Sequence, residues 1–228
     1  MTVNGRRVSV CIPAKDEAST IEEVIDRSRP HGDELFVVDG HSKDQTRELA
    51  EAMGVPVYLD EGLGKGCAVR EAVARATGDI LVTIDADLSF DPNDIPRLVA
   101  PVANGDAEYG SGSRMRGGSD ELHGDLDKFI RMVGQDIITL GVNYRFDVRL
   151  TDSQSGFRAF DLDAARSITL VENITTTEQE MIIKFLRKGY RIVEVPTHEY
   201  ASRRDRSHIS LRRHAARYVY SWLRYLFF

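Results

Sequence analysis

The chain has 228 residues, 42% of them hydrophobic and 29% charged, with a net charge of −6. This is room for one α/β domain with a real core rather than two small ones, and no stretch approaches the roughly 18 uninterrupted apolar residues of a membrane span. The N-terminus lacks the apolar core of a secretion signal, so a cytoplasmic location is expected; Cys11, in an apolar run, and Cys67, early in a helical one, point to core thiols rather than a disulfide framework.

Short apolar runs at 8–12, 35–38, 55–59 and 80–84 read as strands, and the segments between them, 20–28, 44–53 and 65–76, carry helical periodicity. This is βαβα order, which predicts a Rossmann-like, mostly parallel sheet with helices on both faces. A helix over 94–103 and a strand over 107–111 extend it. The second half is less regular: a helix at 129–142, a short strand at 156–160, a helix at 177–188 stopped by Gly189, and a closing strand at 191–195 ended by Pro196.

Residues 201–228 hold seven Arg against one Asp, which leaves the first 200 at −12. Arg203, Arg204, Arg206, Arg212, Arg213, Arg217 and Arg224 run into Tyr218, Tyr220, Trp222, Tyr225, Phe227 and Phe228, a mixture typical of segments lying at a lipid headgroup boundary. The acidic remainder argues against nucleic acid as the partner. The alternative is an ordinary amphipathic helix folded against the body. The expected division is one catalytic domain over 1–210 and a membrane-apposed basic helix over 211–228.

The run Gly78-Asp79-Ile80-Leu81-Val82-Thr83-Ile84-Asp85-Ala86-Asp87 ends a buried-type strand in two carboxylates one residue apart. Residues two apart on an extended chain face the same way, so Asp85 and Asp87 converge at a strand's carboxyl end, where open α/β sheets bind ligands. Such hard oxygen donors suit Mg²⁺ or Mn²⁺ carrying a diphosphate; alone, Asp87 also fits a turn cap. Asp39, ending the second strand, reads as an acceptor for ribose hydroxyls or a base edge, whereas Ser42 and Asp44 read as caps of the next helix. Gly62-Leu63-Gly64-Lys65-Gly66 opens a helix, a context that suits phosphate, but it is neither a Walker motif nor a dinucleotide fingerprint.

The joint order of Pro-x-x-x-Glu at 13–17, Val-Asp-x-x-Ser-x-Asp-x-Thr at 38–46, Gly-x-Gly-Lys-Gly at 62–66, Asp-Ala-Asp-Leu at 85–88, Gly-Ser-Arg at 112–114 and Ser-Gly-Phe-Arg at 155–158 resembles family 2 glycosyltransferases of the GT-A fold. Within that family it looks most like the polyprenyl (dolichyl) phosphate mannose or glucose synthases, over residues 6–212. The resemblance implies that Pro13, Ala14, Glu17 and Asp39 line the nucleotide pocket, with Lys65 near the diphosphate. It implies that Asp85 and Asp87 hold the metal, with Ser89 where a Gln often joins the shell. Arg114 and Arg131 match positions serving the acceptor phosphate, Glu180 matches the helix acid, and Arg203 matches the segment that closes over the donor.

A nucleotide-sugar diphosphate and a lipid monophosphate are both strongly anionic, so one site needs a divalent cation for the first and arginines for the second. The acceptor phosphate is itself an ionised nucleophile near neutrality, with a second pKa of about 6, so no dedicated general base is required. The expectation is metal-dependent, inverting transfer of a hexose from GDP-mannose or UDP-glucose to a polyprenyl phosphate at the inner membrane face. The alternatives are a family 2 enzyme with a soluble acceptor, a non-catalytic nucleotide-sugar sensor, and a nucleotidyltransferase, which the loop Pro13-Ala14-Lys15-Asp16 disfavours.

Overall fold

A computed structural model describes residues 1–121, 126–202 and 211–227, apart from the side chains of 127 and 211–215. The first strand, β1 (Val8–Ala14), is buried along its whole length. Val10 and Ile12 enter one core cluster and Cys11 the other, so both faces of the sheet have to be covered. The strands that follow are β2 (Glu34–Asp39), β3 (Val57–Leu59), β4 (Ile80–Thr83), β5 (Tyr109–Ser113), β6 (Arg158–Asp161) and β7 (Ile192–Pro196). They form one sheet in the order β3-β2-β1-β4-β6-β5-β7. Every neighbouring pair is parallel except those made by β6, which runs antiparallel to both β4 and β5.

The helices are α1 (Ile21–Ser28), α2 (Thr46–Ala52), α3 (Lys65–Arg75), α4 (Ile95–Ala103), α5 (Arg114–Gly117), α6 (Leu126–Phe146), α7 (Leu162–Arg166), α8 (Thr177–Arg187) and α9 (Leu211–Phe227). Side chains of α1, α2 and α4 build the core on one face, and those of α3, α6, α7, α8 and α9 build it on the other. The mostly parallel sheet and its seven strands match the expectation from the sequence. The short helices α5 and α7 do not appear in that reading, because four or five residues are too few to show a period. Their caps are nonetheless written in the chain: Ser113 accepts from the Arg116 amide and Asp161 from the Ala164 amide. The 129–142 prediction becomes a longer helix, 126–146.

Residues 211–227 are not set apart from the rest. Tyr225 and Leu226 are 5% and 3% exposed and share a core cluster with the buried side chains of α8. Carboxyl ends of strands diverge between β1 and β4, where the order turns from β1-β2-β3 on one side to β4 on the other, and the crevice of such a fold opens there. Five non-glycine residues have positive φ, and three of them, Asp16, His41 and Leu88, sit in the loops after β1, β2 and β4. Left-handed backbone at such residues costs about 1–3 kcal/mol each and collects where loops carry function.

Two glycines on α6 give a controlled comparison. A Cβ at Gly141 would lie 2.2 Å from Cζ2 of Trp222 on α9, while one at Gly134 would meet no atom within 4 Å. In urea unfolding, Gly134→Ala is expected to gain roughly 0.5–1 kcal/mol from lower backbone entropy in the unfolded chain. Gly141→Ala is expected to lose about 1–3 kcal/mol by overpacking.

Candidate active site

A cavity of about 860 Å³ opens at the carboxyl ends of β1, β2 and β4 and runs between α6 and α9. Its strand-tip end carries Pro13, Ala14, Lys15, Asp60, Lys65, Asp85 and Asp87; its far end is walled by Ile130, Ile137 and Ile138 of α6 and by Val219 and Trp222 of α9. One cavity therefore joins a charged end to an apolar one, in the size range of small-molecule sites.

Asp85 stands two residues past the end of β4, with the buried Ile84 between them. Lys65, the first residue of α3, places its Nζ 2.8 Å from each Asp85 carboxylate oxygen and 3.0 Å from Glu178 Oε1 on α8. Burial alone would lower the Lys65 pKa; the carboxylates of Asp85 and Glu178 outweigh it and hold the ammonium above the ordinary lysine range. Gly156 forms the side wall of this pair: a Cβ there would lie 2.5 Å from Lys65 Nζ and 2.6 Å from Asp85 Oδ2. Asp87 Oδ1 accepts from the Ser89 amide at 3.1 Å, a contact made possible by the left-handed turn at Leu88, and Asp87 Oδ2 accepts from Ser202 Oγ at 3.1 Å.

Among the described residues no group of three or more His, Cys, Asp or Glu side chains is arranged to hold a metal. Two carboxylates facing a cavity fit Mg²⁺ or Mn²⁺ all the same, because such ions are commonly held by one or two carboxylates plus substrate phosphates rather than by an all-protein cage. Asp85 and Asp87 supply that pair. Ser89 lines the cavity too, and its backbone is tied down on both sides, the amide to Asp87 and the carbonyl to the Tyr200 amide.

Several residues expected in the site stand elsewhere. Glu17 and Asp39 are each 1% exposed and do not line the cavity. Asp39 shares the strand parity of Val37, toward the α1 and α2 side, and its carboxylate accepts from the Ser42 amide and hydroxyl. Glu180 is fully buried and accepts from the Val171 and Glu172 amides and from Lys184, so it anchors the 171–172 turn; the acid of α8 that faces the cavity is Glu178. The amides at the start of α3 are not all open to phosphate either. Gly66 N donates to Asn173 O at 2.9 Å, and the residue has to be glycine because a Cβ would lie 2.0 Å from Glu172 O.

Arg114 lines the cavity but is committed. Its Nε and Nη2 donate to Asp152 at 2.7 and 2.9 Å, and Nη1 donates to Glu199 at 3.2 Å. Burial would raise the Asp152 pKa, and the Arg114 charge and its hydrogen bonds hold it below the usual carboxylate range. Arg114 thus fastens the 152–156 loop to the end of β5 rather than standing ready for an acceptor. Arg131, 34% exposed, lines the cavity with a 3.2 Å bond to the Glu121 carbonyl and a 4.0 Å approach to its carboxylate. Arg203 lies outside the described residues.

The residues that sequence reasoning missed are Glu178, Tyr218, Trp222 and Ser202. The first turn of α8 is buried on every side, so no polar face tells Glu178 from Glu180. The aromatic residues of α9 were expected at a lipid boundary; Tyr218 instead bonds Thr175 Oγ1, and Tyr225 OH donates to Glu172 at 3.2 Å. The exposed side of α9 still carries Val219, Tyr220, Leu223 and Phe227, and α6 exposes Leu126, Phe129, Ile130, Val133, Ile137 and Leu140. No described helix is long and apolar enough to cross a membrane.

Residues 9–168 match the model of the family described as Glycosyl transferase family 2. Glycosyltransferase AglJ of Haloferax volcanii is 33% identical over 84% of this chain and 63% of its own length. A UDP-N-acetylglucosamine–dolichyl-phosphate N-acetylglucosaminyltransferase of Methanococcus voltae is 30% identical over 83% of this chain and 84% of its own. The chain spans less than two thirds of AglJ and 46% of a second Haloferax volcanii relative, the low-salt glycan biosynthesis hexosyltransferase Agl6. Among solved structures, glucosyl-3-phosphoglycerate synthase of Mycobacterium tuberculosis with Mn²⁺, UDP-glucose and phosphoglyceric acid superposes with a TM-score of 0.80 at 27% identity, covering 97% of this chain and 80% of that one. A mostly parallel sheet with an acid-tipped β4, a family match over most of the chain and neighbours of this fold lead to one assignment: the chain belongs to glycosyltransferase family 2 and has the GT-A fold.

Proposed function

We propose that the chain transfers a sugar from a nucleoside diphosphate to a polyprenyl phosphate at the cytoplasmic face of a membrane. The observation that carries this reading is the single cavity whose charged end meets an apolar end between α6 and α9. A relative named for a uridine donor and a dolichyl phosphate acceptor supports it. Solved neighbours bound to UDP-glucose support a uridine donor over GDP-mannose.

In this reading Pro13, Ala14 and Lys15 receive the nucleoside and Lys65 faces the diphosphate. A divalent cation held by Asp85 and Asp87 would supply the Lewis acidity that stabilises the departing diphosphate. Arg131, with Arg203 by resemblance, pairs with the acceptor phosphate and aims one of its oxygens at the anomeric carbon. That oxygen forms the new bond as the bond from the anomeric carbon to the diphosphate oxygen breaks, the electron pair leaving with the diphosphate and the configuration inverting. No proton has to be removed from the nucleophile. The isoprenoid chain lies along Ile130, Ile137, Val219 and Trp222, which burial of apolar surface favours by about 25 cal/mol per Å².

A second reading has its own support: the neighbours bound to phosphoglyceric acid carry a small soluble phosphate acceptor. The two separate in one assay with Mn²⁺, UDP-glucose, UDP-N-acetylglucosamine and GDP-mannose, offered against a short polyprenyl phosphate and 3-phosphoglycerate, with products identified by mass. The expected product is a glycosyl polyprenyl phosphate, lost by about 100-fold or more in Asp87→Ala. Phosphoglycerate turnover without lipid product would replace the lipid acceptor by the soluble one, and unchanged turnover in Asp87→Ala would remove the cation from the mechanism. Liposome flotation tests the surface independently. The protein is expected to float with anionic vesicles, and Tyr220→Asp with Phe227→Asp is expected to stay in the soluble fraction with its circular dichroism unchanged.

A further inference from the structure

We propose that Lys65 is a built-in stand-in for the divalent cation on Asp85, and that Glu178 is the positioning residue that keeps its ammonium in the cavity when the cation takes Asp85 over. The inference rests on the proposed cation at Asp85 and Asp87. Nζ of Lys65 sits 2.8 Å from both oxygens of Asp85, so the oxygens a cation needs are the ones the ammonium occupies. Holding both together is disfavoured, because two positive charges would then share one carboxylate at contact distance.

The surroundings limit where the ammonium can go. On one side Gly156 leaves no room for as much as a methyl group, at 2.5 Å from Nζ. Toward the core the buried Arg158 guanidinium opposes a positive charge; its Nε donates to Ser155 O and its Nη1 contacts Met181 Sδ, and among the described residues no carboxylate pairs with either. The remaining partner is Glu178, 3.0 Å away with a side chain 9% exposed, and beyond it the open cavity where the diphosphate belongs. Glu178 therefore lets Lys65 release Asp85 without being left unpaired in a poorly hydrated place.

This arrangement couples the two ligands. A cation alone has to break the Lys65 to Asp85 pair, and so does a diphosphate that claims Lys65. When both bind, the pair is broken once and each charge finds a new partner, so each ligand raises the affinity of the other through the protein as well as by direct chelation.

The test titrates the full chain with Mn²⁺, alone and with UDP, reading free Mn²⁺ by electron paramagnetic resonance, with thermal unfolding to confirm that each variant is folded. Lys65→Met is expected to bind Mn²⁺ alone about tenfold more tightly than the parent and to show a smaller gain from UDP. Glu178→Gln is expected to bind Mn²⁺ severalfold more weakly, since Lys65 then rests on Asp85 alone. In a Lys65→Met background the same Glu178→Gln change is expected to have no effect, because Glu178 acts through Lys65; a simple loss of negative charge near the ion would weaken binding equally in both backgrounds. Mn²⁺ affinity of Lys65→Met within about twofold of the parent, or an undiminished Glu178→Gln effect in the double variant, overturns the inference. Failure of the parent to bind Mn²⁺, or binding by Asp87→Ala equal to the parent's, overturns instead the cation reading beneath it.

Discussion

A charge taken out of water has to be matched by another, and that constraint builds most of this cavity. Lys65 stands between Asp85 and Glu178, Arg114 between Asp152 and Glu199, and Glu172 gathers Arg217, Tyr225 and Thr176. Each knot ties elements far apart in the chain. The first joins the start of α3 to the tip of β4 and to α8; the second joins the end of β5 to the 152–156 loop and to the segment after β7; the third joins α9 to the turn before α8. The ionic groups that give the site its chemistry are therefore also the fastenings of its walls, and a side chain here cannot be altered for one purpose without disturbing the other.

The same constraint reassigns the basic residues. A guanidinium that already carries two carboxylates offers little net positive charge to an incoming phosphate, and Arg114 is in that position. Arg131 has weaker partners among the described residues, a carbonyl at 3.2 Å and a carboxylate at 4.0 Å, and it sits on α6 beside the isoleucines of the apolar end. An anionic headgroup attached to a hydrocarbon chain is matched by that neighbourhood: a lightly engaged arginine next to a run of aliphatic side chains. The long stem of arginine also packs along apolar surface while its charged head stays hydrated.

Strands such as Val8–Ala14 and Ile80–Thr83 were legible because burial on both faces forces a nearly continuous apolar run. Asp85 and Asp87 were legible because two carboxylates one residue apart at the end of such a run need partners, and the carboxyl end of a strand in an open α/β sheet is where ligands bind. Asp39 passed the same filter and yet does not line the cavity, since its side of the sheet depends on which face of β2 carries Val37, and a sequence with apolar residues on both faces does not record that. Glu178 and Glu180 share the first turn of a helix buried all round, so periodicity is silent on which one meets the cavity. In α9 the mixture of arginines and aromatics was visible, but half of it serves internal packing: Tyr225 fills the core while Tyr220 and Phe227 stay outside. Composition gives the stock of such residues and cannot divide it between two faces.

The glycines of the site show why its motifs read as they do. Gly-Leu-Gly-Lys-Gly resembles a phosphate loop, but at Gly66 the missing side chain makes room for the Glu172 carbonyl, and at Gly64 for that of Asn173. That close packing brings the 172–174 segment, and with it the first turn of α8, against the start of α3, and so sets Glu178 within reach of Lys65. Gly156 does the same from the other direction by admitting the Lys65 and Asp85 pair beneath the 152–156 loop. The glycines thus act on the site through backbone approach: they set three loops close enough for one ammonium to touch two carboxylates.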